Sequence, residues 1–517
     1  MTIWRTLDTA TVSIGGMADD DLSTARSLLA VWQSRLPQNM KRSLYRDGEK
    51  GFDKSGIYMP EHLRNASFYL GWAGMAVRKA SVRSQFDGFR LPGSDDPFEL
   101  AEVLDENNFS MEFSQGTDSA YTHGPAFVTV TPDEAMRTGV QIQGHTAENA
   151  AAIWDYRTRL VSSGLTISGY DDDERPTDFT LYLPGRAIRV MGEGERYRVA
   201  DVSELPQGRA PMVPLTYDPG LSRPFGHSRI TRPVMALTDM AIRAYVRMEK
   251  NAELYSWPQL AIEAADPDAF EGVGQERRMQ LAMDRIIAIS KDADGDKPVI
   301  KQFQQATMEP HNSMLRTVAM AFSGETGIPP SSLGIIHDQP ASAEAIRANE
   351  HDLLIDVGYQ NKYTLQTAAK RIAELAVMVR DGLASPPDGI HRLSAAFIDP
   401  EFRSTSAKAD AAIKLAQIPD VAESPVLLEE VFDQDKVERI LEDRRRRQAG
   451  SSALSLISES GASKRDRDEA EVMYQKARAL RELRVAGVSG ETAAVLVGLP
   501  AVQFDTAPQV SANADEG

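Results

Sequence analysis

Gly327-Ile328-Pro329-Pro330-Ser331-Ser332-Leu333-Gly334, then Ile335 to Gln339, then Pro340-Ala341-Ser342-Ala343-Glu344-Ala345-Ile346, is the stretch that decides how the chain is read. Proline fixes φ, and the residue before a proline avoids the helical region, so no helix runs through Ile328-Pro329-Pro330. Upstream, residues 310–323 carry apolar Met314, Leu315, Val318, Met320 and Phe322 and predict a short helix. Downstream a helix is expected from about Ser342 to Leu383. Ser342 is its N-cap, and Glu344 puts negative charge in the first turn, where the helix dipole favours it. At ~1.5 Å per residue that helix is on the order of 60 Å long, more than a compact domain needs. Between the two, Gly334 and Pro340 bracket apolar Ile335 and Ile336 and polar His337, Asp338 and Gln339, a segment with little reason to form regular structure.

A chain of 517 residues is too long for one simple core, so several domains are expected. The absence of cysteine excludes disulfides, thiolate zinc sites and cysteine nucleophiles. No apolar run approaches ~18 residues, and Met1 to Asp20 lacks the charged start and apolar middle of a signal peptide, so a cytosolic origin is expected. The formal net charge of −18 argues against tight, sequence-reading nucleic-acid binding, which shows a basic footprint. It is compatible with surrounding a polyanion without gripping it, since neutralisation of phosphates by Lys and Arg is what makes such binding tight. Acidity that merely keeps the protein soluble is the plainer reading.

Working back to the N-terminus, residues 1–16 show no period and read as an arm. Asp20 to Leu36 predicts a helix that Pro37 stops, and Pro60 to Val82 a second one. Phe86 to Phe89 reads as a strand. One helix, Phe98 to Asn107, is expected before a mostly β region with Ala126 to Val130, Phe179 to Leu183, Ala187 to Met191 and Tyr197 to Val202 as strands. Ser228 is expected to cap a helix running to about Leu254. Beyond Trp257-Pro258 come a strand at Leu260 to Ile262, a helix from Gln275 to Met283, and strands at Arg285 to Ile289 and Pro298 to Phe303. After the long helix and a Pro-rich loop, helices are expected from Thr405 to Gln417, Pro425 to Gln448 and Lys464 to Gly487.

Chemistry-bearing motifs are few. Asp292-Ala293-Asp294-Gly295-Asp296 lacks the sixth-position glycine and distal glutamate of a calcium loop and reads as a turn. Asp171 to Glu174 reads as a charged loop. No G-x-x-x-x-G-K-[ST], G-x-S-x-G or H-E-x-x-H motif is present, so neither a catalytic residue, a metal ligand nor a cofactor is assigned.

The central stretch, 328–334 with 340–346, resembles the signature of tailed-phage portal proteins, in the branch with SPP1-like portals. Further likeness lies in Leu44-Tyr45-Arg46-Asp47-Gly48, Arg64-Asn65-Ala66, Trp154 to Val161, Gly226 to Ile230, and Phe397-Ile398-Asp399-Pro400, and it covers roughly Leu44 to Arg444. The resemblance implies an α+β, multidomain portal fold. Its parts are an arm and α+β wing (1–227), a first stem helix (228–256), a small α/β clip (257–304), a second stem helix (305–327), a tunnel loop (328–341), a long wing helix with a return strand (342–402), a helical crown (403–490) and a tail (491–517). It implies a homo-oligomeric ring, a dodecamer, at one capsid vertex of the virion, with double-stranded DNA passing through its channel without sequence reading. Terminase, scaffolding protein, major capsid protein and a head–tail adaptor are the implied partners. Ile335, Ile336, His337, Asp338 and Gln339 then become the tunnel loop, and Gly334, Pro340 and Ser342 its hinge. Arg229, Arg232, Arg243, Arg247 and Lys250 are either a solvated helix face or a positive rim near the DNA path, and the four-arginine run at Arg444 to Arg447 is a helix end or a DNA contact. A capsid-associated processing enzyme and a non-portal head–tail adaptor are the alternatives.

Lacking a phosphate-binding loop, the purified chain should release no phosphate from ATP in a coupled assay, and hydrolysis that co-purifies with this polypeptide through successive columns would overturn the structural-protein reading.

Overall fold

The computed structural model describes residues 7–51, 68–94, 96–193, 196–255, 260–263, 299–302, 307–335 and 343–401, with scattered positions beyond. Helix and sheet are mixed, and the chain divides into two compact units, Met1–Phe402 and Arg403–Gly517.

In the first unit, helix α1 (Asp19–Arg46) opens on Asp19, Asp20 and Asp21, acids that suit a helix N-terminus. Its stripe of Ala25, Leu28, Leu29 and Trp32 is buried against Leu165, Ile167, Phe179, Leu181, Ile188 and Val190. Those residues belong to an antiparallel meander of β5 (Ala150–Asp155), β6 (Leu160–Tyr170), β7 (Pro176–Leu183), β8 (Arg186–Glu193) and β9 (Arg196–Glu204), with β1 (Ile14–Gly15) added parallel to β9. The expected stop at Pro37 does not occur: α1 continues for nine residues beyond it. A proline inside a helix removes one backbone hydrogen bond, but tertiary bonds hold both sides of this one. Trp32 Nε1 donates to Glu148 O at 2.6 Å and Asn39 Nδ2 to Ala147 O at 2.9 Å, both on one turn between strands.

The opposite face of the meander buries Val161, Tyr182 and Ala187 against Phe127 and Met212. This alternation is the period-2 pattern of a sheet covered on both faces. Phe127 and Met212 lie in a three-stranded sheet ordered β10 (Met212–Thr216), β3 (Pro125–Pro132), β4 (Val140–Thr146).

The largest core gathers helices α2 (Trp72–Ser81), α3 (Leu100–Glu106) and α4 (Phe109–His123). Helix α4 falls where the sequence predicts mostly strands. Its Ser, Thr and Gly content makes it a weak helix former; burial of Phe109, Phe113, Ala120 and Tyr121 on one face overrides that propensity. Phe86, Phe89, Phe109, Phe113 and Phe397 form an aromatic cluster with centroid distances of 5.0 to 6.4 Å. It closes β2 (Phe86–Arg90) onto β13 (Ser394–Phe397), so the strand after the long helix returns to the strand near the start.

Helix α5 (Arg232–Tyr255) begins four residues later than expected. Ser228 does not cap it: its hydroxyl donates to Thr122 O and accepts from Ile230 N, while Thr231 Oγ1 accepts Val234 N at 3.3 Å. Helix α6 (Glu309–Thr326) runs antiparallel beside α5. Thr231 meets Glu325 at one end of the pair, and Asn251 meets Met308 at the other. Past the second end, β11 (Leu260–Glu263) and β12 (Val299–Gln302) pair antiparallel over four residues each. The helix expected at 275–283, the strand at 285–289 and the Asp292–Asp296 turn lie outside the described residues, as do the arm's first six residues and positions 60–67 of the expected second helix.

The long helix is present in three parts: α7 (Ala343–Tyr359), a π-helical turn (Gln360–Leu365) and α8 (Gln366–Arg380). No helix among the described residues is long and apolar enough to cross a membrane. In the second unit the described positions are scattered; Lys414, Val437, Arg439, Ile440, Leu441, Arg444, Val472, Lys476 and Ala479 are helical, each within a helix the sequence predicts, and Val437 is buried.

One titration is set by this packing. His145 on β4 bonds Thr129 Oγ1 at 2.9 Å, and burial pulls its pKa from 6.5 to about 4. The unfolded chain therefore binds the proton first, and the stabilisation is complete above about pH 6.5 and lost as pH falls toward 4. Thermal unfolding midpoints should drop across that window, and His145→Gln should flatten the drop relative to wild type.

Candidate functional site

The breaker stretch is anchored in the core by Ile328, Pro329 and Leu333, while Ser331 and Gly334 remain exposed. Helix α6 ends at Gly327, whose φ of +72° belongs to the left-handed region and whose N–H donates to Ser323 O at 2.8 Å. Ile328 is fully buried. Pro330–Leu333 forms a 3₁₀ turn with Leu333 buried, and Gly334, at φ +83°, ends it. Ile335 donates its N–H back to Pro330 O at 3.2 Å and packs its side chain against the main core. Ile335, the first residue of the segment that the sequence groups as the tunnel loop, is thus anchored to the core as its root. Ile336, His337, Asp338, Gln339, Pro340 and Ser342 lie outside the described residues.

Beside this root stands a polar clamp built on Arg229. The sequence reading counted Arg229 with the charges of a helix face; it precedes that helix, and its side chain is only 4% exposed. Nε donates to Ala76 O at 2.9 Å, Nη2 donates to Thr326 O at 2.8 Å, and Nη1 meets both Tyr217 Oη at 3.1 Å and the Asp356 carboxylate. One guanidinium thereby joins α2, the C-terminal turn of α6, the segment after β10, and α7. Tyr217 Oη donates to the same Asp356 oxygen at 2.9 Å, and the guanidinium lies 5.3 Å from the Tyr217 ring centre. Burial raises the Tyr217 pKa; Arg229 works against that rise and Asp356 with it, so the phenol stays protonated and able to donate. Tyr121, 4.9 Å from the Tyr217 ring, is likewise pushed up by burial to about 12 and bonds Ser84 at 2.9 Å.

The π-helical turn follows Asp356 directly. Asp218 N donates to Gln360 Oε1 at 3.1 Å, and Thr364 Oγ1 donates to Gln360 O at 2.8 Å, so the wide turn is pinned by the segment that supplies Tyr217. Asn361 is buried there with neither amide atom hydrogen-bonded. Such one-turn π segments occur mostly inside α-helices and often at functional places. The long helix is tied along its length as well, by Arg83 to Glu350 at 3.1 Å, Arg209 to Glu374 at 3.4 Å, and Arg380 Nη1 to Phe98 O at 2.8 Å.

Asp356 was the missed signal. It stands within Leu353-Leu354-Ile355-Asp356-Val357, where an acid in an apolar run asks for a buried partner. Arg229 was inside a quoted motif, but nothing in one sequence pairs it with a residue 127 positions away. Among the other candidates, Asp171 Oδ1 accepts the N–H groups of Asp173 and Arg175 at 3.0 and 2.8 Å, which makes 171–175 a self-bonded turn.

The sequence profile of the family described as phage portal protein, SPP1 Gp6-like, matches residues 26–450. The chain is similar to the portal protein of Mycobacterium phage L5, 29% identical over 424 residues covering 78% of this chain and 84% of that protein. It is similar to the portal protein of Mycobacterium phage D29, 30% identical over 394 residues covering 73% and 79%. Two solved structures align over 68% of this chain and 86% of theirs: a chain from the neck of an empty gene transfer agent particle, at TM-score 0.37 and 14% identity, and one from the native gene transfer agent virion, at 0.36 and 16%.

Removing one partner of a buried ion pair leaves an uncompensated charge and costs about 3 kcal/mol or more. Asp356→Ala should therefore lower the unfolding midpoint of the first unit far more than Asp218→Ala, whose backbone bond to Gln360 survives. Equal midpoints for the two variants in calorimetry would show that the clamp does not hold the helix.

Proposed function

As the chain belongs to the SPP1 Gp6-like family of phage portal proteins, we propose that the clamped breaker stretch is the base from which a tunnel loop reaches into the DNA channel of its ring. The family assignment carries the role itself: a portal protein, a homo-oligomeric ring in the capsid of a virion, through which DNA is packaged and ejected. Ring number, the DNA-facing residues and the individual partners are our reading beyond it.

The observation that carries the loop assignment is the rigidity of its root. Gly327 to Ile335 is held by burial and backbone bonds, and the helix beyond is tied at Glu350, Asp356, Gln360 and Glu374. In this reading Ile336 to Gln339, with Pro340 and Ser342 behind them, act at the same place on each subunit because both flanking anchors belong to the fold. In a closed ring that place repeats around the axis. Gly334 and Ser342 act as the hinge ends. Apolar and uncharged-polar tips give duplex DNA a weakly binding surface, whereas a ring of lysines would hold phosphates at a cost in mobility.

In the same reading the α5–α6 pair is the stem, and the β11–β12 ladder clasps a clip at 257–304 that meets the terminase motor and later the head–tail adaptor. Residues 1–227 form the wing, toward scaffolding and major capsid protein, and 403–490 the crown. The ring is a dodecamer, assembled in the host cytoplasm. The protein performs no chemistry on its cargo and takes no cofactor.

The test keeps Ile335, because its side chain packs on the core, and deletes Ile336 to Gln339. Rings should still form by mass photometry, and packaging or retention of DNA in complemented particles should fall. Rings that package and retain DNA as wild type does would make this segment a plain connector; failure to form any ring would instead strike at the assembly itself.

A further inference from the structure

The cations of helix α5 all lie along one side of it. With Arg229 taken into the clamp, Arg232, Arg243, Arg247 and Lys250 remain of the basic residues that the sequence groups there. At about 100° per residue these four fall within an arc of about 60°, and at ~1.5 Å per residue the row is about 27 Å long. The other residues on that arc are Ala236 and Leu254, and the acids of the helix, Asp239, Glu249 and Glu253, all fall outside it. Arg232 and Arg247 are exposed, and Arg243 is half-buried.

This segregation is not the pattern of a helix face that only meets water. A solvated face interleaves acids and bases one turn apart, which stabilises the helix, whereas like charges at those spacings destabilise it. Arg243 and Arg247 stand four apart, and Lys250 three further on. The acid one turn before Arg243 is engaged elsewhere: Asp239 accepts the Tyr45 hydroxyl on both oxygens, each at 2.9 Å. Arg247 Nη1 donates to Met314 Sδ on α6 at 3.7 Å, an uncharged and weak acceptor. The row is also fixed in place, because Val234, Ala241 and Ala244 of the same helix are buried in the largest core. Cations lined up along one helix face are the electrostatic footprint of nucleic-acid binding.

We propose that the row of Arg232, Arg243 and Arg247 on α5, continued by Lys250, is a contact for the phosphate backbone of duplex DNA. Phosphates follow one another at about 3.4 Å of rise along one strand, so a row about 27 Å long runs beside about eight of them. A rod of uniform charge suits a row of one sign. A protein partner is instead held by anchors packed into the centre of its footprint, and between these cations the arc carries only Ala236. Guanidinium forks bond phosphate oxygens directionally, and such contacts position a duplex without reading its sequence. The proposal rests on the reading that duplex DNA passes through the ring, and it adds a place where the chain touches it.

The test uses the full chain as it assembles and follows a labelled duplex oligonucleotide by fluorescence anisotropy over a series of chloride concentrations. Arg232→Gln/Arg247→Gln is compared with wild type, with Arg232→Lys/Arg247→Lys, and with Arg157→Gln/Arg392→Gln, whose exposed arginines lie on other elements. This last pair removes the same net charge from elsewhere. Each phosphate contact adds about 0.9 to the slope of log affinity against log salt. The glutamine pair on α5 should therefore flatten the slope by about two for each protomer that engages the DNA. The lysine pair should keep most of the slope, and the distant pair should match wild type. Ring mass is read in parallel by mass photometry and should be unchanged. Equal slopes for wild type and the α5 glutamine pair would overturn the contact. So would a distant pair that flattens the slope as much, or a wild type that binds no duplex at low salt. Rings lost by the glutamine pair and kept by the lysine pair would also overturn it, because acids of a second copy would then be the partner of the row. None of these outcomes touches Ile336 to Gln339, whose deletion leaves the row intact, so failure of the contact and failure of the channel reading stay separate.

Discussion

Everything near the proposed loop depends on one buried guanidinium. Arg229 bonds Ala76 O, Thr326 O, Tyr217 and Asp356, and these four groups belong to four elements that share no backbone ladder. A hydrophobic contact could hold the same elements together, but it is not directional. A planar fork with five donors is. It sets the α6 C-terminus and α7 at a fixed offset, so that the chain leaves one and enters the other with little freedom. A buried ion pair is weak evidence for net stability, since desolvation offsets much of the attraction. Its contribution here is geometric: the wrong register of α7 would leave a charge buried without its partner.

The π-helical turn follows from the same constraint. A helix that places Asp356 on Arg229 must also bury Leu365, Ala369, Ile372 and Ala376 further along. The turn at Gln360–Leu365 widens the helix for about one turn and changes the phase between these two demands. Its extra backbone room is closed by Gln360, whose Oε1 accepts from Thr364 Oγ1 and from Asp218 N. The outward residues across this turn, Ile355, Tyr359 and Tyr363, stay aligned at intervals of four and remain exposed. The long helix is therefore two rigid rods meeting at a pinned joint.

What the sequence made legible divides along the range of the interactions involved. The proline pair, the two glycines and the long apolar period are local, and the breaker, α6 and the long helix stand close to where they were expected. The meander strands follow their alternation for the same reason. Pro37 misled because its cost is local while the bonds that offset it, from Trp32 and Asn39 to residues 147 and 148, are not. Helix α4 was hidden by a composition of serine, threonine and glycine, although Phe109, Phe113, Ala120 and Tyr121 already had helical spacing. The clamp was the least legible part. An arginine and an acid separated by 127 positions become partners only once three helices and the segment after β10 have packed.

The economy of positive charge links the site to the function. With 57 basic and 75 acidic side chains, the chain is acidic enough to repel a polyanion on average. Its basic groups are not spread evenly against that average. Arg229, Arg83 and Arg209 are consumed inside the fold, each holding an acid of the long helix, and contribute no net attraction at a distance. Other arginines, among them Arg157, Arg159, Arg196, Arg232 and Arg392, are exposed, bond no acid among the described residues, and lie on several different elements. Phosphate neutralisation sets the strength and the salt dependence of nucleic-acid binding, and a chain this acidic on average supplies little of it. The internal pairing of arginines with acids of the long helix leaves fewer cations free to hold the DNA of a packaging channel in place.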